Sequence, residues 1–423
     1  MSTTIPDRPG ADKLTPRLNA RSRTPGSGRW ARLGLLATIL ALVTLNGWWS
    51  WVDRMTPTIK QVDALIASGQ LVEAEQALAT RLRWSSGDGE ARMNRARLLI
   101  KRGDTIAGAE ELHRVPAWWP SRREASFLEG QAFKMAARAR DAEAAWRTCL
   151  VADPLHPTPS SLLHGSAKEL VTLAVLEGRL DEARAVLWRV YEESNALERP
   201  EVLATRVRAE VERIDHDEAI AKLRAFTQAD PADLDALRAL AIEEHATSDE
   251  AGCDRDLAAC LAIRSDDPAT WRARLEILHD RGDVDTLHQA ITALPASTQE
   301  DGRVWMYRGI DRQRLEDPAG AIEAFRRSAG LAPTDPEVLY KLGLAEVAAG
   351  QQAEGRAHLA SSQELRRAYG SLRDGYYALL EQVRRFPRDQ AAYRSAVEGV
   401  AANLRTLGFA READAWLAQL PRT

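Results

Sequence analysis

Residues 305–333 read WMYRGIDRQRLEDPAGAIEAFRRSAGLAP, and this stretch decides the fold. Its apolar residues recur at helical spacing in two runs, which predicts two amphipathic helices joined by a turn. Gly309 and Ala321 are small enough to let the two helices approach closely, and large apolar residues fill the groove beside them. Pro333 closes the second helix, because proline cannot continue a helix.

The same pattern recurs along the chain at a spacing of 34 residues. Steps of 34 from Trp305 and Ala321 reach only apolar or small residues, namely Leu203, Leu237, Trp271, Leu339, Ala219, Cys253, Leu287 and Gly355. Trp305, Gly309, Ala321, Phe325 and Pro333 stand at the positions of the tetratricopeptide signature, so the chain resembles a tetratricopeptide repeat (TPR) protein. The resemblance implies an all-α fold, a right-handed α-solenoid of helix-turn-helix repeats that bury their apolar faces by stacking.

Repeat-like units extend from about residue 57 to about residue 420. A second series of 34-residue steps links Ala74, Gly108 and Ala142, and single units centre on Gly178 and Gly408. We therefore predict ten units. They are grouped as N-terminal repeats 57–160, central repeats 161–362, and a C-terminal segment 363–423 that begins with a bridging helix.

The N-terminal region contains an uncharged run, residues 33–52, with the sequence LGLLATILALVTLNGWWSWV. Twenty apolar residues are about what a helix needs to cross a bilayer. Arginines precede the run, so the positive-inside rule predicts a single-pass signal-anchor over residues 29–54. Residues 1–28 would then be a disordered basic cytoplasmic tail, and the repeats would be extracytoplasmic, in the periplasm of a Gram-negative-type bacterium. A cleaved signal peptide and a buried core helix are the alternative interpretations.

Composition and motifs favour no catalytic function. The formal net charge of −4 argues against nucleic-acid binding, and the three cysteines lack CxxC spacing. The eight histidines form no HExxH motif, and no phosphate-binding glycine motif is present. The repeats leave no segment long enough for a catalytic domain. We therefore expect no enzyme, no metal site and no cofactor, and we expect the cysteines to be buried packing residues.

In the family that the chain resembles, the first helix of each unit lines a concave groove that holds a partner segment. The positions that carry over are Arg208, Arg238, Arg272, Met306, Ile310, Gln313, Arg314, Tyr340 and Leu344. This mixture of basic and apolar residues suits a segment with acidic and apolar side chains. Alternatively, the three groove arginines pair with Glu212, Asp235 or Glu276 on their own helices.

Trp118 and Trp119 are a second surface candidate, because two indoles in a loop could anchor a partner or touch a nearby bilayer. Packing beneath the loop is the alternative role. Together these features predict a membrane-tethered scaffold that binds a protein partner and supports a membrane-associated complex. The alternative function is an accessory subunit of an export or envelope-biogenesis system that binds a glycan or lipid in the same groove.

Overall fold

The computed structural model describes residues 43–44, 47–48, 50–51, 56–151, 158–384 and 389–421. Within these residues the regular structure is entirely helical, with twenty α-helices, two for each of the ten units predicted from the repeat spacing. Contacts within the chain divide it into two compact units, residues 1–86 (unit 1) and residues 87–423 (unit 2).

Unit 1 contains one hairpin, formed by α1 (Ile59–Ala67) and α2 (Leu71–Trp84). Unit 2 contains eighteen α-helices and a short 3-10 turn, Ala296–Glu300. Eight of its nine consecutive helix pairs form hairpins, whereas Arg199–Val211 and His216–Ala229 have almost no contact with each other. Its helices are α3 (Gly89–Lys101), α4 (Thr105–His113), α5 (Arg122–Met135), α6 (Ala139–Cys149), α7 (Ser160–Leu176), α8 (Leu180–Glu193), α9 (Arg199–Val211), α10 (His216–Ala229), α11 (Leu234–Ala246), α12 (Glu250–Ile263), α13 (Pro268–Asp280), α14 (Val284–Thr292), α15 (Gly302–Arg314), α16 (Pro318–Leu331), α17 (Pro336–Ala348), α18 (Gln352–Arg384), α19 (Gln390–Thr406) and α20 (Ala410–Leu417).

The predicted membrane segment, residues 33–52, lies largely outside the described residues, as does the predicted tail 1–28. Among the helices of the described part of the chain, none is both long enough and apolar enough to cross a membrane.

Aspartates and glycines set the ends of many helices. Asp267 caps α13 by accepting the backbone N–H of Thr270 at 2.8 Å, and Asp335 caps α17 by accepting that of Glu337 at 2.9 Å. The turn inside several hairpins requires a positive φ, which glycine adopts without a steric penalty; φ is +92° at Gly103 and +83° at Gly350. The chain therefore reverses within three or four residues, which places the two helices of a pair side by side.

Small residues lie where paired helices cross, as the repeat pattern predicts. A Cβ added to Gly309 would lie 2.5 Å from Cε1 of Phe325, so the ring packs directly on the glycine. The closest crossing joins α17 and α18, where a Cβ on Gly343 would lie 2.8 Å from the carbonyl oxygen of Gly355. These helices meet backbone to backbone, and no larger side chain fits between them.

Helix α18 is 33 residues long and runs without interruption across residues 362 and 363, where the sequence suggested the start of a separate bridging helix. Its second half carries a buried apolar stripe of Leu365, Ala368, Leu372, Tyr376 and Leu379 at helical spacing. The stripe packs on α19 and also on Leu203 and Val207 of α9, far back in the sequence. The C-terminal helices of unit 2 therefore pack against α9, in the middle of the same unit.

Charged and aromatic side chains reinforce this contact beside the apolar core. The guanidinium groups of Arg184 and Arg206 both contact the Phe409 ring, at 4.9 and 4.6 Å from its centroid. Arg411 donates to Glu192 at 3.2 Å and lies 4.1 Å above the Trp188 ring. The start of α20 is thus held on α8 and α9.

A buried ion-pair network fixes the junction between α6, α7 and α8. The Arg179 guanidinium contacts Glu143, Glu177 and Glu182, with N–O distances of 2.7, 2.5 and 2.7 Å. Glu177 is only 4% exposed, and burial raises the pKa of its carboxyl from 4.5 to about 8. Arg147 also pairs with Glu143 and Glu182. Glu177 has only Arg179 among the described residues, so the buried Glu177 is the easiest of the three carboxyls to protonate.

The Gly343→Ala substitution tests the closest helix crossing. We expect a loss of about 1–3 kcal/mol in the free energy of unfolding, because the new methyl group meets the backbone of α18. Urea unfolding followed by far-UV circular dichroism measures it. Gly370→Ala is the control, since Gly370 lies exposed within α18 with nothing near its Cβ position. There we expect a gain of up to about 1 kcal/mol from helix propensity. Equal effects of the two substitutions would contradict the close crossing.

The Glu177→Gln substitution tests the buried carboxyl through the pH dependence of stability. Because the pKa in the folded chain, about 8, exceeds the ordinary value of 4.5, this group stabilises the fold below about pH 4.5 and loses that contribution as the pH rises through about 8. Glutamine is neutral at every pH, so the variant does not lose stability at this position as the pH rises. We therefore expect the melting temperature of the wild type, relative to the variant, to fall by about 2 °C or more between pH 4.5 and pH 8.5. Glu323→Gln, at an exposed position, is the control. Parallel pH profiles of wild type and Glu177→Gln would refute the raised pKa.

Candidate partner-binding groove

The groove arginines predicted from the repeat positions are already engaged in ion pairs. Arg238 is 7% exposed and pairs with Asp235 on its own helix and, at 3.3 Å, with Asp267. Arg208 is exposed and lies 3.9 Å from Glu212, the partner that the alternative interpretation names.

Arg272 pairs with Asp301 at 2.9 Å rather than with Glu276, and its side chain is 43% exposed. Asp301 caps α15 just as Asp267 caps α13, so Arg238 and Arg272 each reach the helix-capping aspartate of the next unit. Arg303 repeats the arrangement with Asp335 at 2.9 Å. The three arginines therefore tie successive repeats together.

The other predicted groove positions divide between core and surface. Met306 is completely buried in the cluster that joins α13, α15 and α17, so the expectation that it faces a partner is wrong. Ile310 is partly buried on the same cluster. Gln313 and Arg314 are exposed, and Arg314 donates to Asp311 at 3.4 Å. Of these four side chains, the two exposed ones, Gln313 and Arg314, are therefore polar.

Tyr340 and Leu344 of α17 are 38% and 43% exposed, as a groove position requires. The guanidinium of Arg366 lies 5.0 Å above the Tyr340 ring, which leaves one face of the tyrosine covered by α18. These two residues form a small apolar surface beside the hairpin crossing.

Trp118 and Trp119 have different surroundings. Trp119 packs on the cluster of Met93, Leu112 and Ala125, and its ring lies where a Cβ on Gly89 would stand. Trp118 is 61% exposed. Packing beneath the loop therefore describes Trp119, whereas Trp118 is free to contact a partner.

Unit 2 contains a cavity of about 750 Å³ that is open to solvent, which we call the inner chamber. The ends of α7 and α9 and the middle of α11 form most of its wall. The first turns of α8 and α10, Arg303 of α15 and Tyr369 of α18 supply the rest. Its apolar lining includes Val175, Leu176 and Ile242. A second cavity of about 390 Å³, between α7, α9 and α18, is lined in part by Arg208. None of the other groove residues predicted above lines either cavity.

Most charges on the chamber wall are paired. Arg184 contacts Glu210 at 2.8 Å, and Nδ1 of His216 lies 2.6 Å from Glu243, which raises the pKa of His216 by a hydrogen bond. Arg213 differs, because it is exposed and has no hydrogen bond or ion pair with any described residue. The Tyr369 hydroxyl likewise has no hydrogen-bond partner among the described residues, and burial raises its pKa. The chamber thus offers two unused hydrogen-bond donors.

Ile242 is the most accessible apolar side chain of the chamber wall, with 43% of its surface exposed on α11. Two of the predicted groove residues, Ile310 and Leu344, occupy the same repeat position, so the spacing pointed to Ile242 as well. Arg213 carries no comparable signal, since it lies after the end of α9, in the turn to α10. Only the folded chain shows that it borders a cavity.

The cysteines are buried, as their repeat positions predict. Burial raises the pKa of Cys253 to about 11 and that of Cys260 to about 12, so neither thiol is a ready nucleophile at neutral pH. In the described part of the chain, no three His, Cys, Asp or Glu side chains are grouped so that they could hold a metal ion.

Comparison with protein-family models gives no match, and comparison with curated proteins gives none either. Among solved structures, the chain is similar to the APC/C hetero-tetramer Cut9–Hcn1, with 12% identity and a TM-score of 0.36 over 85% of this chain and 79% of that one. It is also similar to pilF of Pseudomonas aeruginosa, with 17% identity and a TM-score of 0.31 over 54% of this chain and 92% of that one. A tetratricopeptide repeat protein of Parabacteroides merdae has 14% identity and a TM-score of 0.32 over 61% of this chain and 98% of its own. With similarity this low, the repeat assignment rests on the helical hairpins and their 34-residue spacing in this chain.

Proposed function

We propose that this chain is a membrane-tethered scaffold that binds a segment of a partner protein in the inner chamber of unit 2. The observation that carries the proposal is the exposed Ile242 on the chamber wall beside the unpaired Arg213. An apolar wall with a few convergent polar groups is the usual composition of a binding site. The role proposed is binding, without catalysis.

The donors in the chamber define the chemistry of the partner segment. Arg213 and the Tyr369 hydroxyl can donate hydrogen bonds to a carboxylate, and a bidentate contact from arginine would be the stronger of the two. Ile242 and Leu176 offer a surface for an apolar side chain. A segment that carries an acidic residue close to an apolar one satisfies both requirements.

A glycan fits the chamber less well than a peptide. Carbohydrate sites commonly stack sugar faces on aromatic rings, and among the Phe, Tyr and Trp residues that the structure describes only Tyr369 lines the chamber. A lipid chain would need a longer apolar channel than the charged wall of Arg184, Glu210 and Glu243 provides. The glycan or lipid ligand therefore remains the alternative proposal.

The tether proposed for residues 33–52 would keep the chamber close to the bilayer on the extracytoplasmic side. Holding a binding site near a membrane raises its effective concentration toward membrane-bound partners without any new contact. A short partner segment bound in one chamber would then suffice to assemble a membrane-associated complex.

The Ile242→Asp substitution tests the chamber. In native membranes, crosslinking followed by capture through a C-terminal tag and mass spectrometry should recover a partner with the wild type and at least about tenfold less with the variant, since a charge would replace the apolar contact. Ile263→Asp is the matched control, because Ile263 is equally exposed at 43% and does not line the chamber.

The Arg213→Glu substitution tests the preference for an acidic segment in the same assay, with Arg356→Glu as the control at another exposed arginine. Circular dichroism checks that all four variants keep the helical content of the wild type. If both chamber variants capture the partner as well as the wild type does, the binding site lies elsewhere.

A further inference from the structure

Three indoles of unit 1 form a continuous exposed row. The ring centroids of Trp48 and Trp51 are 5.4 Å apart, and those of Trp51 and Trp84 are 5.2 Å apart in an edge-to-face arrangement. All three side chains are exposed, Trp48 by 49%, Trp51 by 38% and Trp84 by 46%. Trp84 comes from α2, so the row joins the first repeat hairpin to the preceding segment.

An exposed row of indoles is costly in water unless something covers it. Among the described residues, none accepts a hydrogen bond from the indole N–H of Trp48, Trp51 or Trp84. Each ring therefore presents an apolar surface together with an unused donor. That combination is most stable at a boundary where one side is apolar and the other is wet, as at the headgroup level of a bilayer.

The hairpin geometry places Trp84 where the chain enters the repeats. Helices α1 and α2 are antiparallel neighbours joined by a three-residue turn, so the start of α1 and the end of α2 lie at the same end of the hairpin. The buried Arg81 holds the two together there, because its guanidinium donates to the carbonyl oxygen of Pro57 at 3.5 Å. The end of α2 is therefore next to the point at which the chain arrives from residues 33–52.

The occupant of this surface follows from the sequence that leads to it. The uncharged run ends one residue after Trp51, so Trp51 lies at the boundary of any bilayer that the run crosses, and the ring that touches Trp51 lies there too. Lys60 and Arg83 are exposed near the same end of the hairpin and have no ion-pair partner among the described residues, which suits lipid phosphates.

We infer that the α1–α2 hairpin lies against the extracytoplasmic face of the bilayer, with Trp84 inserted at the headgroup level as a second contact beside the anchor. This inference rests on the tether in the proposed function. It adds that the first repeat is a membrane-contacting element with a fixed orientation, rather than a module that hangs freely from a flexible link.

Site-specific quenching by lipids tests the inference on the full chain. The native cysteines are buried, so a single introduced cysteine takes an NBD label selectively. One label replaces Thr80, which is exposed one turn before Trp84; the other replaces Gln70, exposed at the opposite end of α2 and about 15 Å away along the helix axis. The labelled chains are reconstituted in phosphatidylethanolamine–phosphatidylglycerol vesicles that contain doxyl-labelled phosphatidylcholine.

We expect at least twofold stronger quenching at position 80 than at position 70, and a reduction to the level of position 70 when Trp84→Asp is added to the position-80 chain. Resistance of the chain to carbonate extraction from the same vesicles tests the tether separately. A retained chain with equal quenching at the two positions overturns the hairpin contact and leaves the tether standing. A chain that carbonate removes overturns the tether and the inference with it.

Discussion

The contact between the apolar stripe of α18 and the face of α9 is the interaction on which unit 2 depends. A repeat array normally needs only contacts between neighbouring units. Here Leu372 and Tyr376 of α18 share one core with Leu203 and Val207 of α9. The contact brings α18 back onto the middle of the array, and Tyr369 of α18 there lines the inner chamber together with the ends of α7 and α9.

The arginines fall into two groups: those that pair with an aspartate of the next repeat, and those that border the chamber without such a partner. Arg238, Arg272 and Arg303 hold the capping aspartates of the following units, so each stabilises a helix start and a repeat interface together. Arg213 has no such partner, and it borders the cavity. In a chain rich in arginine, the absence of an internal partner is what separates a candidate binding residue from a structural one.

Much of the hairpin architecture follows from local rules and could be predicted. Small residues at a 34-residue spacing placed the helix crossings, and Gly309 lies against Phe325 as that spacing requires. The length of α18 could not be predicted from the repeat pattern alone. Arg367 replaces the proline of Pro333, which permits the helix to continue. Ser265 replaces the same proline, yet α12 ends at Ile263.

The site was harder to predict because its determinants are distant in sequence. Arg238 pairs with Asp235 on its own helix, as one interpretation of the sequence held. The partners Asp267 and Asp301, however, lie 29 residues beyond Arg238 and Arg272 on the next unit, out of reach of any pairing along one helix. Met306 has the repeat position of a groove residue, yet it is buried where α13, α15 and α17 meet. Periodicity assigns a residue to a face of its helix, whereas the packing of the neighbouring units decides whether that face is exposed.

The contact between the start of α20 and α8 also bears on the order in which the chain folds during synthesis. Arg411 meets Glu192 across a separation of 219 residues. Because the chain is synthesised from its N-terminus, the middle hairpins can fold well before the C-terminal helices that pack on them have been made. Until then, the later helices do not yet cover the side chains of Leu203, Val207 and Trp188. During synthesis the chamber would therefore lack part of its wall until Tyr369 of α18 has been made, and the contact of α20 with α8 would form after that.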